Sequence, residues 1–187
     1  MERIKAVNPE EATGKSKELL AGVQKKLGMT PNMMRTMAQS PAVLEGYLNL
    51  SSALGGGSLP AKLREQIALV VSEANGCEYC LSAHSAIGRM LGLSEEEILE
   101  SRRGESSEGK SGVALRFARE LVLARGRVSD NNLEQVRRAG FTEGEITELL
   151  ANVALNLFTN YFNHLAETRI DFPAAAPLVE PQVRPRA

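Results

Sequence analysis

Apolar residues recur three and four positions apart along most of the chain, which is the spacing of one face of a helix. From Pro9, "PEEATGKSKELLAGVQKKLG" places Leu19, Leu20, Val23 and Leu27 on one side, and Gly28 offers a stop. "PNMMRTMAQS" reads as a short helix carrying Met33, Met34 and Met37, taken as core filler. Pro41 after Ser40 opens a third helix, with Val43, Leu44, Tyr47, Leu48 and Leu54 as its apolar side. "GGGSLP", from Gly55 to Pro60, is a connector: no strand precedes it and no Lys-Ser/Thr follows, so it does not fit a phosphate-binding loop. "AKLREQIALVVSEANG" carries the stripe Leu63, Ile67, Val70 and Ala74, with Ala68, Leu69 and Val71 off it. That predicts a helix buried on more than one side, closed by Asn75 and Gly76.

The second half continues the pattern. "EYCLSAHSAIGRMLG" is helical, and Ser94 with Glu97 forms a capping box before the next helix. "ESSEGKSG", Glu105 to Gly112, reads as a polar surface loop. Helices follow in "VALRFARELVLARG" and from Ser129. A second capping box, Thr142 with Glu145, opens a long apolar helix. "MLGLSEEEI" (Met90 to Ile98) resembles "RAGFTEGEI" (Arg138 to Ile146), which allows a duplicated helical-hairpin unit or two similar helix starts. In the second copy Arg125, Gly126 and Arg127 fall near where the first has its cysteines. "IDFP" and "VRPRA" are too short and Pro-rich for strands. The expected fold is all-α: one domain over 1–172, with a core around 42–125, and a Pro-rich arm or tail over 173–187.

Composition narrows the function. A length of 187 residues suits one domain, and a formal net charge of -1 gives no reason to expect nucleic acid or an anionic membrane as partner. Trp is absent and no apolar run approaches the ~18 residues of a membrane span. The start, "MERIKAVNPEEATGKSKELL", lacks the apolar stretch of a secretory signal. A cytoplasmic protein is expected. There a lasting structural disulfide is improbable, and a C-x-x-C is more often redox-active or metal-binding.

Both cysteines fall in "NGCEYCLSAH" with one of the two histidines. On a helix that starts at Cys77 or Glu78, residues Cys77, Cys80 and His84 share one face. The helix N-terminus favours a thiolate, and a histidine one turn away can take or pair with the thiol proton. A thiolate, a base and a second thiol are the parts needed to attack a peroxide and resolve the sulfenic acid. Dipole position favours Cys77 as the attacking residue, and proximity to His84 favours Cys80; the residues alone leave both open. Glu65, twelve positions before Cys77, reaches His84 if the two helices pack as a hairpin, where a carboxylate would raise imidazole basicity. Its bland reading is a solvated helix face near Lys62. A zinc site from Cys77, Cys80, His84 and His164 is a further alternative, although the spacings are unusual for structural zinc. His164 reads instead as a core or interface histidine.

The pattern E-x11-C-E-Y-C-x-x-A-H (Glu65, Cys77 to Cys80, Ala83, His84) resembles the alkylhydroperoxidase AhpD core of the carboxymuconolactone decarboxylase-like superfamily. The flanks "PNMMRTMAQSPAVLEGYLNLSSAL" and "NYFNHLAETRIDFP" are similar to its peroxidase-related branch, so the resemblance runs from about Pro31 to Pro173. It implies an AhpD-like helical bundle that forms a homo-oligomer, built on trimers or hexamers. It implies a peroxidase acting on hydroperoxides in antioxidant defence, with no metal, haem or flavin. By position, Cys80 would be peroxidatic, Cys77 resolving, and His84 and Glu65 the proton relay. The implied partners are a hydroperoxide and an external dithiol, in the family a lipoylated carrier. One departure stands out: the family's second relay histidine is replaced by Tyr79, which donates a hydrogen bond but is a poor base near pH 7. Lactone-decarboxylating members are described without this C-x-x-C. A redox-sensing or disulfide-exchange helical oligomer uses the same thiol pair and differs only in turnover.

Overall fold

The computed structural model describes residues 2–178. Among them the chain forms helices joined by short turns: α1 (Gly14–Leu27), α2 (Asn32–Met37), α3 (Pro41–Gly55), α4 (Ala61–Asn75), α5 (Glu78–Met90), α6 (Glu95–Arg103), α7 (Gly109–Leu123), α8 (Asp130–Arg138) and α9 (Glu143–Ala166). No strand occurs among the described residues, so the all-α expectation holds. Of the expected tail 173–187, the part from 179 on lies outside the described residues.

The centre of the bundle is α4, which packs against α5, α6, α7 and α9. Its sequence explains why. Ile67, Leu69, Val70 and Val71 are all fully buried, so three consecutive residues face different neighbours and no side of the helix is left to water. One apolar cluster joins Leu63, Ile67 and Val70 to Leu115, Phe117, Val136 and Leu149. A second gathers Leu20, Val23, Met37 and Leu44 around Cys77, Tyr79 and Cys80. The methionine helix is thus core, as expected. The cysteine motif sits at the join of α4 with the helices that precede it in sequence.

Helix ends are where sequence and structure agree best. Ser94 and Thr142 both close full capping boxes with Glu97 and Glu145. Each is preceded by a left-handed glycine, Gly92 and Gly140, and by a buried apolar residue, Leu93 and Phe141. Leu93 clusters with Ile98, and Phe141 shares a cluster with Ile146, so each start also carries a hydrophobic staple. This shared device accounts for the similarity of the two segments, although the helices that follow have 9 and 24 residues.

Three expectations need correction. α1 starts at Gly14 rather than near Pro9. The loop expected over Glu105 to Gly112 ends early: α7 begins at Gly109, and Ser111 and Gly112 are buried against the bundle. α9 is not simply apolar, because Asn152, Asn156, Thr159, Asn160 and Asn163 are buried on its inner side.

The link between α4 and α5 sets the site. Gly76 has φ +66, the Gly76 N–H donates to the Glu73 carbonyl, and the Cys77 N–H donates to the Ser72 carbonyl at 2.9 Å. This is a Schellman termination, and its left-handed residue costs a side-chain-bearing residue about 1–2 kcal/mol. Gly76→Ala should therefore lower unfolding free energy by roughly that amount in a urea titration. An unchanged midpoint would show that the turn is not strained by a Cβ.

Candidate functional site

Cys77 is the N-cap of α5, and its sulfur accepts from the Cys80 N–H at 3.4 Å. One turn on, Cys80 places its Sγ 2.7 Å from the Cys77 Sγ. Both thiols are free and almost fully buried, at 1% and 2% exposure. Closing a disulfide, with its ~2.05 Å bond, needs only a small shift of either side chain. His84 lies one further turn along the same face. Its Nδ1 meets Glu65 Oε2 at 2.7 Å across the α4–α5 hairpin, with 21% and 17% of the two side chains exposed. The structure therefore brings together all four residues singled out in the sequence, and the Glu65–His84 contact is the one expected of a hairpin.

The two thiols are unequal. Cys80 is pulled down to about 6, first by the hydrogen bond from Cys77; burial opposes this, and the His84 charge and the Asn163 and Asn160 amides add to it. Cys77 is pushed up, because it donates to Cys80 and is itself buried beside a negative charge. For His84, burial opposes protonation, but the Glu65 carboxylate outweighs it and the net shift is upward. Glu65 takes up Nδ1 and leaves Nε2 to exchange a proton. Below pH 6 the Cys80 thiolate is lost by protonation; above the raised pKa of His84 its cationic partner is lost.

Asn163 and Asn160 were not legible in advance. Asn163 Nδ2 donates to Cys80 Sγ at 3.2 Å and to Met33 Sδ at 3.3 Å, while its Oδ1 is buried without a partner. The amide is thus committed to sulfur. Asn160 accepts from Asn75 Nδ2 at 2.8 Å and donates to Ser72 Oγ at 3.4 Å, tying α9 to the α4 end that precedes the cysteines. The signal available in the sequence was asparagine at spacings of four, four and three along "NVALNLFTNYFN".

Tyr79 occupies the position of the missing histidine but points elsewhere. Its hydroxyl accepts from the Met33 N–H at 3.2 Å, and its ring meets Phe172 edge-on at 5.8 Å. Burial pushes its pKa upward, so it remains a neutral phenol. The C-terminal coil segment carrying Phe172 is pinned by Asp171 accepting from Asn32 N–H at 2.7 Å and by Ala175 N–H donating to Ser82 Oγ at 3.3 Å. His164 is exposed on the outer side of α9, which corrects its reading as a core residue and separates it from the cysteines. Among the described residues no three His, Cys, Asp or Glu side chains converge as metal ligands.

Cys80, His84 and Glu65 open onto a cavity of about 390 Å³. Its other walls include Met33, Tyr47, Leu54, Ile87 and Leu155, so it is largely apolar around the thiol. Tyr47 is pushed up to about 12, by burial first and then by Glu65 and Cys80 nearby.

Residues 41–122 match the carboxymuconolactone decarboxylase family. The alkyl hydroperoxide reductase AhpD of Azorhizobium caulinodans is 34% identical over 86 residues, 38% of this chain and 48% of that protein, so the match spans about half the length of this curated relative. An AhpD-core, peroxidase-related protein from Ralstonia eutropha JMP134 has the same fold, with TM-score 0.82 and 24% identity over 91% of this chain and 92% of the other. A peroxidase-related protein from Silicibacter sp. TM1040 gives 0.78 and 25% identity over 89% and 92%. A cysteine-to-alanine variant of the debrominase Bmp8, in complex with 2,3,4-tribromopyrrole, gives TM-score 0.78 and 21% identity over 90% and 91%. Residues 41–122, less than half of the chain, are thus similar to the carboxymuconolactone decarboxylase family, and the chain as a whole has the helical fold of the AhpD-core protein.

If Asn163 holds the Cys80 thiolate, Asn163→Ala should raise the midpoint of thiolate formation by about one to two pH units, the worth of one hydrogen bond to a charged group. Absorbance at 240 nm against pH reads this directly. A midpoint that does not move would leave Asn163 with a packing role alone.

Proposed function

We propose that the protein is a thiol-dependent peroxidase of the alkyl hydroperoxide reductase type, in which Cys80 attacks and Cys77 resolves. The observation that carries this reading is the continuous line from the Cys77–Cys80 pair to His84 and Glu65, open to an apolar cavity. In the first step the Cys80 thiolate attacks the distal oxygen of a hydroperoxide. An S–O bond forms, the O–O bond breaks, and the sulfur gives two electrons to the peroxide. The departing alkoxide takes a proton from His84, whose positive charge Glu65 stabilises, and leaves as the alcohol. Cys77 sulfur then attacks Cys80 sulfur, and the S–O bond breaks. Water leaves with the Cys77 proton, and a disulfide remains. An external dithiol reduces it by two thiol exchanges and is oxidised in turn.

The low thiol pKa supports this assignment of roles, since at neutral pH Cys80 is largely thiolate and Cys77 keeps its proton for the water that leaves. We place the protein in the cytoplasm as a homo-oligomer, trimer or hexamer, with residues 1–172 acting as one domain, onto which the start of the tail is tied through Ala175 and Ser82. Its reductant is a dithiol carrier, and its reaction serves antioxidant defence. A slower redox-sensing role would use the same residues without the external dithiol.

Rapid mixing of reduced protein with one equivalent of cumene hydroperoxide tests the cycle. The wild type should lose two thiols and gain an intramolecular Cys77–Cys80 disulfide, and Cys80→Ser should lose none to that disulfide. Retention of both thiols in the wild type would end the peroxidase reading. In the same assay His84→Ala should slow thiol loss and move its pH midpoint upward, because the cation that favours the Cys80 thiolate is gone. A pH profile superimposable on the wild type would remove His84 from the relay.

A further inference from the structure

We infer that the cavity beside Cys80 is built for a hydroperoxide that also carries a carboxylate, such as a fatty-acid hydroperoxide, and that Arg64 is the group that holds the carboxylate. The inference rests on the peroxidase reading of the same site and names its substrate class.

Arg64 lines the cavity together with Cys80 and His84, and no lysine or second arginine does so among the described residues. It is partly buried, and one of its guanidinium nitrogens donates to the Leu59 carbonyl. No carboxylate lies within ion-pair distance of it among the described residues. Glu65, next in the chain, and Glu148, which also reaches Leu59, are committed elsewhere. Glu65 holds His84 at 2.7 Å, and Glu148 accepts from the Ser58 and Leu59 N–H groups at 2.8 and 3.1 Å. A guanidinium fixed at one nitrogen, facing a mainly apolar space and lacking a counter-ion, has donors left for a planar anion.

The position of Arg64 within the cavity sets the shape of the ligand. Leu59 receives Arg64 and also donates to Glu148, and Glu148 in turn accepts from Asn152 one turn along α9 at 2.8 Å. Arg64 therefore belongs to the Asn152 end of α9. Cys80 belongs to the other end, where Asn163 touches its sulfur. Asn152 and Asn163 stand eleven positions apart, which corresponds to about 16 Å of helix rise. Leu54, Ile87, Met90 and Leu155 line the space as well. An anion at one end, an apolar run, and a reactive thiolate at the other describe an acyl chain with its carboxylate on Arg64 and a mid-chain or distal hydroperoxyl group at Cys80.

Two measurements test this, and they fail separately. In the first, reduced protein is titrated calorimetrically with decanoate and with decan-1-ol, which differ in charge and share a chain. The wild type should bind decanoate about tenfold or more tighter, Arg64→Gln should bring the two to similar affinity, and Arg64→Lys should keep part of the preference. Equal affinity in the wild type, or a preference that survives Arg64→Gln, would overturn the anchor. In the second, thiol loss is followed with 13-hydroperoxyoctadecadienoic acid and with its methyl ester. The acid should react faster in the wild type, and the ratio of the two rates should fall towards one in Arg64→Gln. An unchanged ratio would count against Arg64. Absence of reaction with every hydroperoxide, cumene hydroperoxide included, would remove the peroxidase reading; the decanoate preference would still decide the anchor.

Discussion

Everything at the thiol site follows from how the chain leaves α4. The left-handed Gly76 lets the chain turn back within one residue, so that α5 runs alongside α4 and its first face is the one carrying Cys77, Cys80 and His84. The same turn places Cys77 at the N-cap, where its sulfur accepts the Cys80 N–H, and lays Glu65 against His84. Had α4 ended one residue later, the next helix would be rotated by about 100° and the three side chains would face another neighbour. α4 itself cannot shift to compensate, because it is packed by α5, α6, α7 and α9 and has no solvent face along its buried run.

Within this frame the environment separates two chemically identical thiols. Both lie in an apolar cluster that disfavours charge. Cys80 gathers donors from Cys77, from the Asn163 amide and, through charge, from His84, whereas Cys77 accepts the Cys80 N–H and gives its own proton to Cys80. One negative charge is satisfied and a second beside it is not, which is why one pKa falls and the other rises. The helix dipole favours the residue closest to the N-terminus, but it is a sub-unit effect compared with specific hydrogen bonds to a buried anion. Tyr79 takes no part in this, since its hydroxyl is held by the Met33 N–H and its ring by Phe172.

The sequence made the fold legible where local chemistry decides it. Ser94 and Thr142 with their glutamates, Gly28 and Gly76 at helix ends, and the all-round apolar stretch of α4 each carry their reason within a few residues. The Cys77–Cys80–His84 line was legible for the same reason, being one helix face, and Glu65 needed only the hairpin that Gly76 dictates. What was hidden depends on distant packing. Asn163 lies 83 positions from Cys80, and an asparagine within an apolar helix does not announce its partner. Arg64 carries no signal in the sequence, and only the cavity shows that it faces the thiol's space. Gly109 to Gly112 read as loop from its glycines and polar residues, yet burial against the bundle holds it as the first turn of α7.

The central claim is the asymmetry of the two thiols, and one titration addresses it most directly. Thiolate absorbance at 240 nm is followed against pH in Cys77→Ser, whose hydroxyl can still donate to the remaining sulfur, and in Cys80→Ser. The account predicts that Cys77→Ser ionises well below the ordinary thiol value of ~8.5, and that Cys80→Ser ionises at or above it. The reverse order, with the Cys77 thiolate forming first, would contradict the account and return the attacking role to the residue at the helix N-terminus.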